Sequence, residues 1–149
     1  MLEATQRIRV EWAHCDPAGI IFNPHYYIWM DAGTHALLHT AGFELAEAVR
    51  NEEGFRGCPL VASNMAFRKP LYFNDVTVLR SQIESFGNTS FVVAHAFYND
   101  TDEAPVASGQ EVRVWGGSDP EFPERLKAVP VPKDVRALLS VEKTVDVSV

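Results

Sequence analysis

The segment Asp16-Pro17-Ala18-Gly19-Ile20-Ile21-Phe22-Asn23-Pro24 places one carboxylate a few residues ahead of a helix start. A helix N-terminus presents free backbone N–H groups and the positive end of the helix dipole. Such an end can polarise a carbonyl and stabilise the oxyanion that forms when it is attacked. A carboxylate beside it can attack directly or activate water. Acid and helix end together make an acyl-transfer site in principle, although Asp before Pro is also a common turn. Histidine as a residue type can change charge near neutral pH, so His14 could pair with Asp16; the plainer reading is a turn histidine facing water.

The elements that must hold these residues can be read from periodicity. Residues 6–12 alternate polar and apolar, as a half-buried strand does. Asp16-Pro17 and Gly19 break that alternation into a loop. Asn23 suits the N-cap and Pro24 the first helical position. Apolar residues from Tyr26 to Ala41 surround most of the helical circumference, which predicts a buried helix. Gly42 would end it in the left-handed conformation. A second short helix is expected over about 44–52. Four long strands follow, at about 59–69, 75–86, 90–100 and 105–115, separated by Asn-Asp and Gly-Asn turns. Their short connections imply antiparallel pairing. Residues 116–123 read as an irregular connector, 131–139 as a short helix and the polar tail from Ser140 as mobile. One long apolar helix and about five strands bury each other most economically as a sheet curled around the helix, an α+β single domain spanning 1–149.

Composition narrows the function. The 149 residues carry a formal net charge of −7 and no cluster of basic residues, which argues against a nucleic-acid partner. No apolar run is long enough to cross a membrane, and the N-terminus lacks a signal-peptide core. Cys15 and Cys58 make no disulfide framework and are expected to be reduced, buried thiols in a cytoplasmic protein. No metal-ligand spacing occurs.

The stretch from His14 to Ala32 resembles the signature of 4-hydroxybenzoyl-CoA thioesterases and their broader acyl-CoA thioesterase relatives. Looser similarity continues through Gly57-Cys58-Pro59-Leu60-Val61, Asn64, Phe67, Asp75-Val76, Ser90-Phe91-Val92, Arg113-Val114 and Glu124-Arg125-Leu126. The resemblance implies the hotdog fold, an antiparallel five- to six-stranded sheet wrapped around a long central helix. It also implies hydrolysis of an acyl-CoA, aromatic and hydroxybenzoyl-like, to free acid and CoA. No separate cofactor is implied, because CoA belongs to the substrate.

Carried over residue by residue, the resemblance makes Asp16 the catalytic carboxylate, as nucleophile or as general base. Asn23 falls where the family presents a backbone amide to the thioester carbonyl. The family has Tyr or His there, so only the backbone role transfers. Asp31 matches an acid that binds the 4-hydroxyl of the acyl group, although the Trp assisting it is Ala46 here. Ser63 and Asn64 would lie near the acyl pocket. For CoA, the basic trio of the hydroxybenzoyl enzymes reads Gly87-Asn88-Thr89 in this chain, leaving backbone and hydroxyl contacts up to Ser90. Arg125 and Lys127 match cations that meet the phosphates, and Arg68-Lys69 is a further candidate. His25, His35, His39 and His95 have no chemical partner visible in sequence. The family builds its site between subunits, so a homotetramer, a dimer of dimers, is expected. Two other classes remain on the same fold: a non-catalytic acyl-CoA-binding module and a 3-hydroxyacyl thioester dehydratase using His14.

Overall fold

The computed structural model describes residues 1–51 and 54–148. The chain runs β1 (Leu2–Arg9), α1 (Pro24–Thr40), α2 (Leu45–Asn51), β2 (Phe55–Gly57), β3 (Leu60–Phe67), β4 (Val76–Phe86), β5 (Ser90–Asn99), β6 (Pro105–Val114), β7 (Gly116–Ser118), β8 (Leu126–Ala128), α3 (Lys133–Leu139) and β9 (Lys143–Asp146). Six of the strands form one sheet in the order β3-β6-β5-β4-β1-β9. Every neighbour pair in it is antiparallel except β1 and β9. The α+β expectation of a single sheet around a central helix holds. The expected helix at 44–52 is α2, with residue 52 outside the described residues.

α1 lies across one face of the sheet because its sequence repeats apolar or small residues at helical spacing. Tyr26, Trp29, Met30, Gly33, Thr34, Leu37 and Leu38 form the buried stripe. The helix is not buried all round, as its composition suggested: Ile28 is 59% exposed and Tyr27 is also open. Gly42, at φ +85°, ends it as expected. Gly42 N–H donates to the His39 carbonyl and Phe43 N–H to that of Leu38, which closes the helix with a left-handed cap.

Along α1 the core divides in two. Its N-terminal half packs Tyr26, Trp29 and Met30 with Val10, Ile21, Leu71, Leu79 and Phe97. Its C-terminal half packs Leu37 and Leu38 with Ile83, Phe91, Val93, Trp115, Val135 and Leu139. Between them runs a buried polar chain. Gly33 lets the helix approach the sheet there, since a Cβ at this position would overlap the Ser81 hydroxyl.

The sequence reading departs from the structure in three places. β1 begins at Leu2, because Leu2 and Ala4 already alternate inward, and the chain turns at Trp12–His14 instead of continuing as strand. Gly116–Ser118, read as part of a connector, forms a three-stranded sheet with β2 and β8. The tail from Ser140, expected to be mobile, is an edge strand through β9 pairing in parallel with β1. Val145 and Val147 alternate with polar residues, and Val147 packs against the C-terminal half of the core. Among the described residues, no helix is long and apolar enough to cross a membrane.

Candidate active site

Asp16 sits in a closed loop between β1 and α1. Its N–H donates to the Ile20 carbonyl at 2.9 Å, and its carbonyl accepts from Gly19 N–H at 2.9 Å. Gly19 turns the chain at φ +80°, where a side chain would be strained. Cys15 pairs with Ile21, and Phe22 N–H donates to the His14 carbonyl. The Asp16 side chain is itself fixed: Oδ1 accepts the Ala18 N–H at 2.8 Å. Oδ2 has no partner among the described residues, so one carboxylate oxygen is anchored and the other left available. The residue is half-buried.

α1 opens eight residues later in the chain. Asn23 stands at its N-cap with no side-chain capping bond. His25 N–H donates to Phe22 and Tyr26 N–H to Asn23, while Pro24 has no N–H. Among the described residues no acceptor meets Asn23 N–H, which makes it the open backbone donor at the positive end of the helix. Beside it lies a cavity of about 240 Å³, lined by Ile20, Ile21, Asn23, Tyr26, Arg68 and Leu71 among others. Asp16 stands outside this lining; its neighbours Ile20 and Ile21 form the shared wall. Burial pushes the Tyr26 hydroxyl up to about 12, so it stays neutral. Larger hollows lie on the outer sheet face and beside α2.

His14 does not face water. It is half-buried, its Nδ1 accepts the Glu11 N–H at 2.9 Å, and its ring meets Trp29 edge-on at 5.1 Å. It also packs at 5.0 Å from His25. No hydrogen bond joins it to Asp16 among the described residues. Cys58 is buried as expected, and burial pushes its thiol up to about 12 against the opposing charge of Arg113. Cys15 is only partly buried, with its Sγ directed at the Glu11 carbonyl.

Asp31, midway along α1, projects its carboxylate to Arg113, whose Nη2 donates at 2.5 Å. Arg113 also donates from Nε and Nη2 to Glu111, at 2.9 Å each, and from Nη1 to the Cys58 carbonyl. Glu111 accepts from the Thr34 hydroxyl. His95 lies 3.5 Å from the same carboxylate and bonds Ser81 through Nδ1. Burial works against the charge on Glu111, but hydrogen bonds from His95, Arg113 and Thr34 and the charge of Arg113 hold it at about 2. Burial would lower the Arg113 pKa, yet its bonds to Glu111 and Asp31 and their charges raise it. His95 is therefore a buried member of a polar network. Long-range pairing of this kind is invisible in sequence, although Glu111 and Arg113, two apart on a strand, were readable as sharing a face.

The remaining predicted residues do not gather around Asp16. Ser63 pairs in register with Glu111 on the helix side of the sheet, and its buried hydroxyl has no partner. Asn64 pairs with Gln110, which bonds Glu84 on the outer face. Strand alternation thus sets Ser63 and Asn64 on opposite faces, so they do not line one pocket. Ser90 opens β5 at the far end of the sheet. Lys127 pairs with Gly117 at that same end, and Arg125 stacks on Phe122 at 4.3 Å. β4 alone spans Val76 to Phe86, so the Asp16 end and the Ser90 end stand roughly 30 Å apart. Arg68 and Lys69 lie at the Asp16 end, on the cavity wall.

Comparison with known proteins gives this geometry a context. The model of the thioesterase-like superfamily matches residues 10–139. The 4-hydroxybenzoyl-CoA thioesterase of Pseudomonas sp. (strain CBS-3) is 32% identical over 139 residues, covering 91% of this chain and 96% of that protein. A crystal structure of an Asp-to-Asn mutant 4-hydroxybenzoyl-CoA thioesterase complexed with 4-hydroxybenzoyl-CoA superposes with a TM-score of 0.83 at 30% identity, covering 93% and 99% of the two chains. A gentisyl-coenzyme A thioesterase structure superposes at 0.76 with 32% identity, covering 92% and 99%.

Proposed function

Because the chain belongs to the thioesterase-like superfamily and is an acyl-CoA thioesterase of the hotdog fold, we propose that it hydrolyses an aromatic acyl-CoA with Asp16 as the reacting carboxylate. The observation that carries this reading is the pairing of a half-anchored acid with an open helix N-terminus. Oδ1 of Asp16 is held by Ala18, Oδ2 is available, and Asn23 N–H lacks an acceptor.

The chemistry follows from those two groups. The thioester carbonyl oxygen accepts from Asn23 N–H, which together with the helix dipole offsets the charge that develops on it. Oδ2 then attacks the carbonyl carbon, the C–S bond breaks, and CoA leaves as thiolate. Water cleaves the resulting anhydride and restores the carboxylate. In the alternative route, Oδ2 takes a proton from water as that water attacks, and the same C–S bond breaks. No metal or redox group is needed in either route.

The aromatic preference is supported by the substrates named for the relatives and by the apolar cavity beside Asn23, walled by Ile20, Ile21, Tyr26 and Leu71. Asp31 and Ser63 are the polar candidates for contact with an acyl hydroxyl. Of these, Asp31 is pinned by Arg113 and Ser63 is unpartnered. A thiol-release screen across benzoyl-, hydroxybenzoyl-, phenylacetyl- and straight-chain acyl-CoA tests the reading. The highest kcat/KM is expected on an aryl ester; a straight-chain optimum would reject the aromatic preference.

A homo-oligomer completes the site in this proposal. β3 is a free edge of the sheet, and β9, the other edge, is short and guarded by Lys143 and Asp146. A two-fold copy joined through β3 runs antiparallel to the first. The partner's far end then comes beside this chain's Asp16, which brings the Ser90 turn, Arg125 and Lys127 within reach of the same ligand. Association of two such dimers gives the tetramer. The free thiols suit a reducing cytoplasm.

A further inference from the structure

The cavity beside Asn23 carries more charge than an apolar acyl group needs. Apart from its apolar walls it is lined by Tyr26 and by two adjacent cations, Arg68 and Lys69. The backbone sets their placement. Phe67, the last residue of β3, still pairs with Ala107. Beyond it the N–H groups of Arg68 and Lys69 both donate to the Val106 carbonyl, at 2.8 and 3.1 Å. Two residues opposing one on the neighbouring strand make a β-bulge, which breaks regular alternation and re-aims side chains. Consecutive residues that a regular strand would send to opposite faces thus both border one cavity. Neither cation enters the ion pairs formed among the described residues, whereas Arg113 is engaged by Glu111 and Asp31. Tyr26 is 3% exposed, and its neutral hydroxyl remains a donor.

Size decides what an anion in this space belongs to. A cavity of about 150 Å³ admits benzene. This one, at about 240 Å³, admits a ring with a substituent. With the thioester carbonyl at Asn23 N–H, the phosphates of CoA lie a whole pantetheine arm away, outside so small a space. An anion beside Arg68 and Lys69 is therefore part of the acyl group. We propose that the cavity selects an aryl thioester whose ring carries an ionised acidic group, met by Arg68 and Lys69. This rests on the thioesterase reading above and narrows the acyl group from aromatic to anionic aromatic. In a chain of net charge −7, with the Asp16 carboxylate close by, such a substituent would be repelled without local cations to receive it.

The test compares esters that differ only in charge. Thiol release is measured for meta- and para-carboxybenzoyl-CoA and for their neutral carbamoyl counterparts. The proteins are the wild type, Arg68→Gln, Lys69→Gln and the double variant. The readout is the ratio of kcat/KM for the carboxylate to that for the amide, so a change in folding or assembly common to both esters cancels. The wild type is expected to favour the carboxylate by about tenfold or more, and the double variant to lose most of that preference. A wild-type ratio near one, or a ratio that the double variant leaves unchanged, overturns the inference. Cations that served a CoA phosphate instead would lower kcat/KM for both esters and leave the ratio unmoved. Hydrolysis of the esters without charge preference sinks this inference and spares the thioesterase reading. If the wild type hydrolyses none of them, the thioesterase reading falls. Calorimetric binding of the same intact esters then gives the ratio, and equal affinities overturn the inference as well.

Discussion

Glu111 carries its charge beneath α1, where an unpaired carboxylate would not survive desolvation. Despite its burial, hydrogen bonds from His95, Arg113 and Thr34 and the charge of Arg113 hold its pKa at about 2, below the ordinary 4.5. A depressed folded-state pKa stabilises the fold fully above the unfolded value and is lost as pH falls from about 4.5 through about 2. This contribution is on the order of 3 kcal/mol. Glu111→Gln is therefore expected to lower stability at neutral pH and to flatten the acid side of the stability profile. Denaturant titrations between pH 7 and pH 2 check this; parallel curves for the two proteins would contradict it. The same network explains what was legible at residue scale. Asp16 and Asn23 were readable because their neighbours in sequence are their neighbours in space. Asp31 was readable as an acid on α1, but its tie to Arg113 joins residues 82 apart. Asn64 lies on the opposite face from Ser63, as strand alternation already implies.

At the level of elements, α1 approaches the sheet most closely where Gly33 crosses Ser81, Leu79 and His95. A Cβ there would stand 3.1 Å from Leu79 Cδ2 and 3.3 Å from His95 Nδ1, and nearer still to the Ser81 hydroxyl. Gly33→Ala is expected to lift the helix and cost about 1–3 kcal/mol, despite the better helix propensity of alanine. A thermal midpoint at or above that of wild type would show that the contact relaxes freely. The long strands and α1 were legible because eight or more residues of alternation, or four turns of helix, give a clear period. β2, β7 and β8 have three residues each, too few for a period to be read. β9 was hidden by its polar composition, since its pairing depends on β1 at the other end of the chain.

For the whole molecule, the surface near Asp16 is unusually apolar. Trp12 is 73% exposed and Phe22 53%, with Ile28, Phe67, Tyr72 and Phe73 also open; Val61, 63% exposed, lies at the opposite end of β3. Patches of this extent mark interaction sites, and this one adjoins the free β3 edge. Val61→Lys places a charge on that edge, where pairing with a second copy through β3 would have to accommodate it. It is expected to shift the protein to monomer in light scattering and to remove activity with the fold intact. A variant that stays fully active as a monomer would show that the separated ends of one chain do not need a partner.

The central claim is that Oδ2 of Asp16 opens the thioester. Asp16→Asn keeps the oxygen that accepts from Ala18 and removes the charge, so the loop should hold while the chemistry stops. Thiol release from the best aryl-CoA substrate is the direct measurement. The account predicts a fall in kcat of about 100-fold to 10,000-fold with KM nearly unchanged. A kcat within a few-fold of wild type would contradict it.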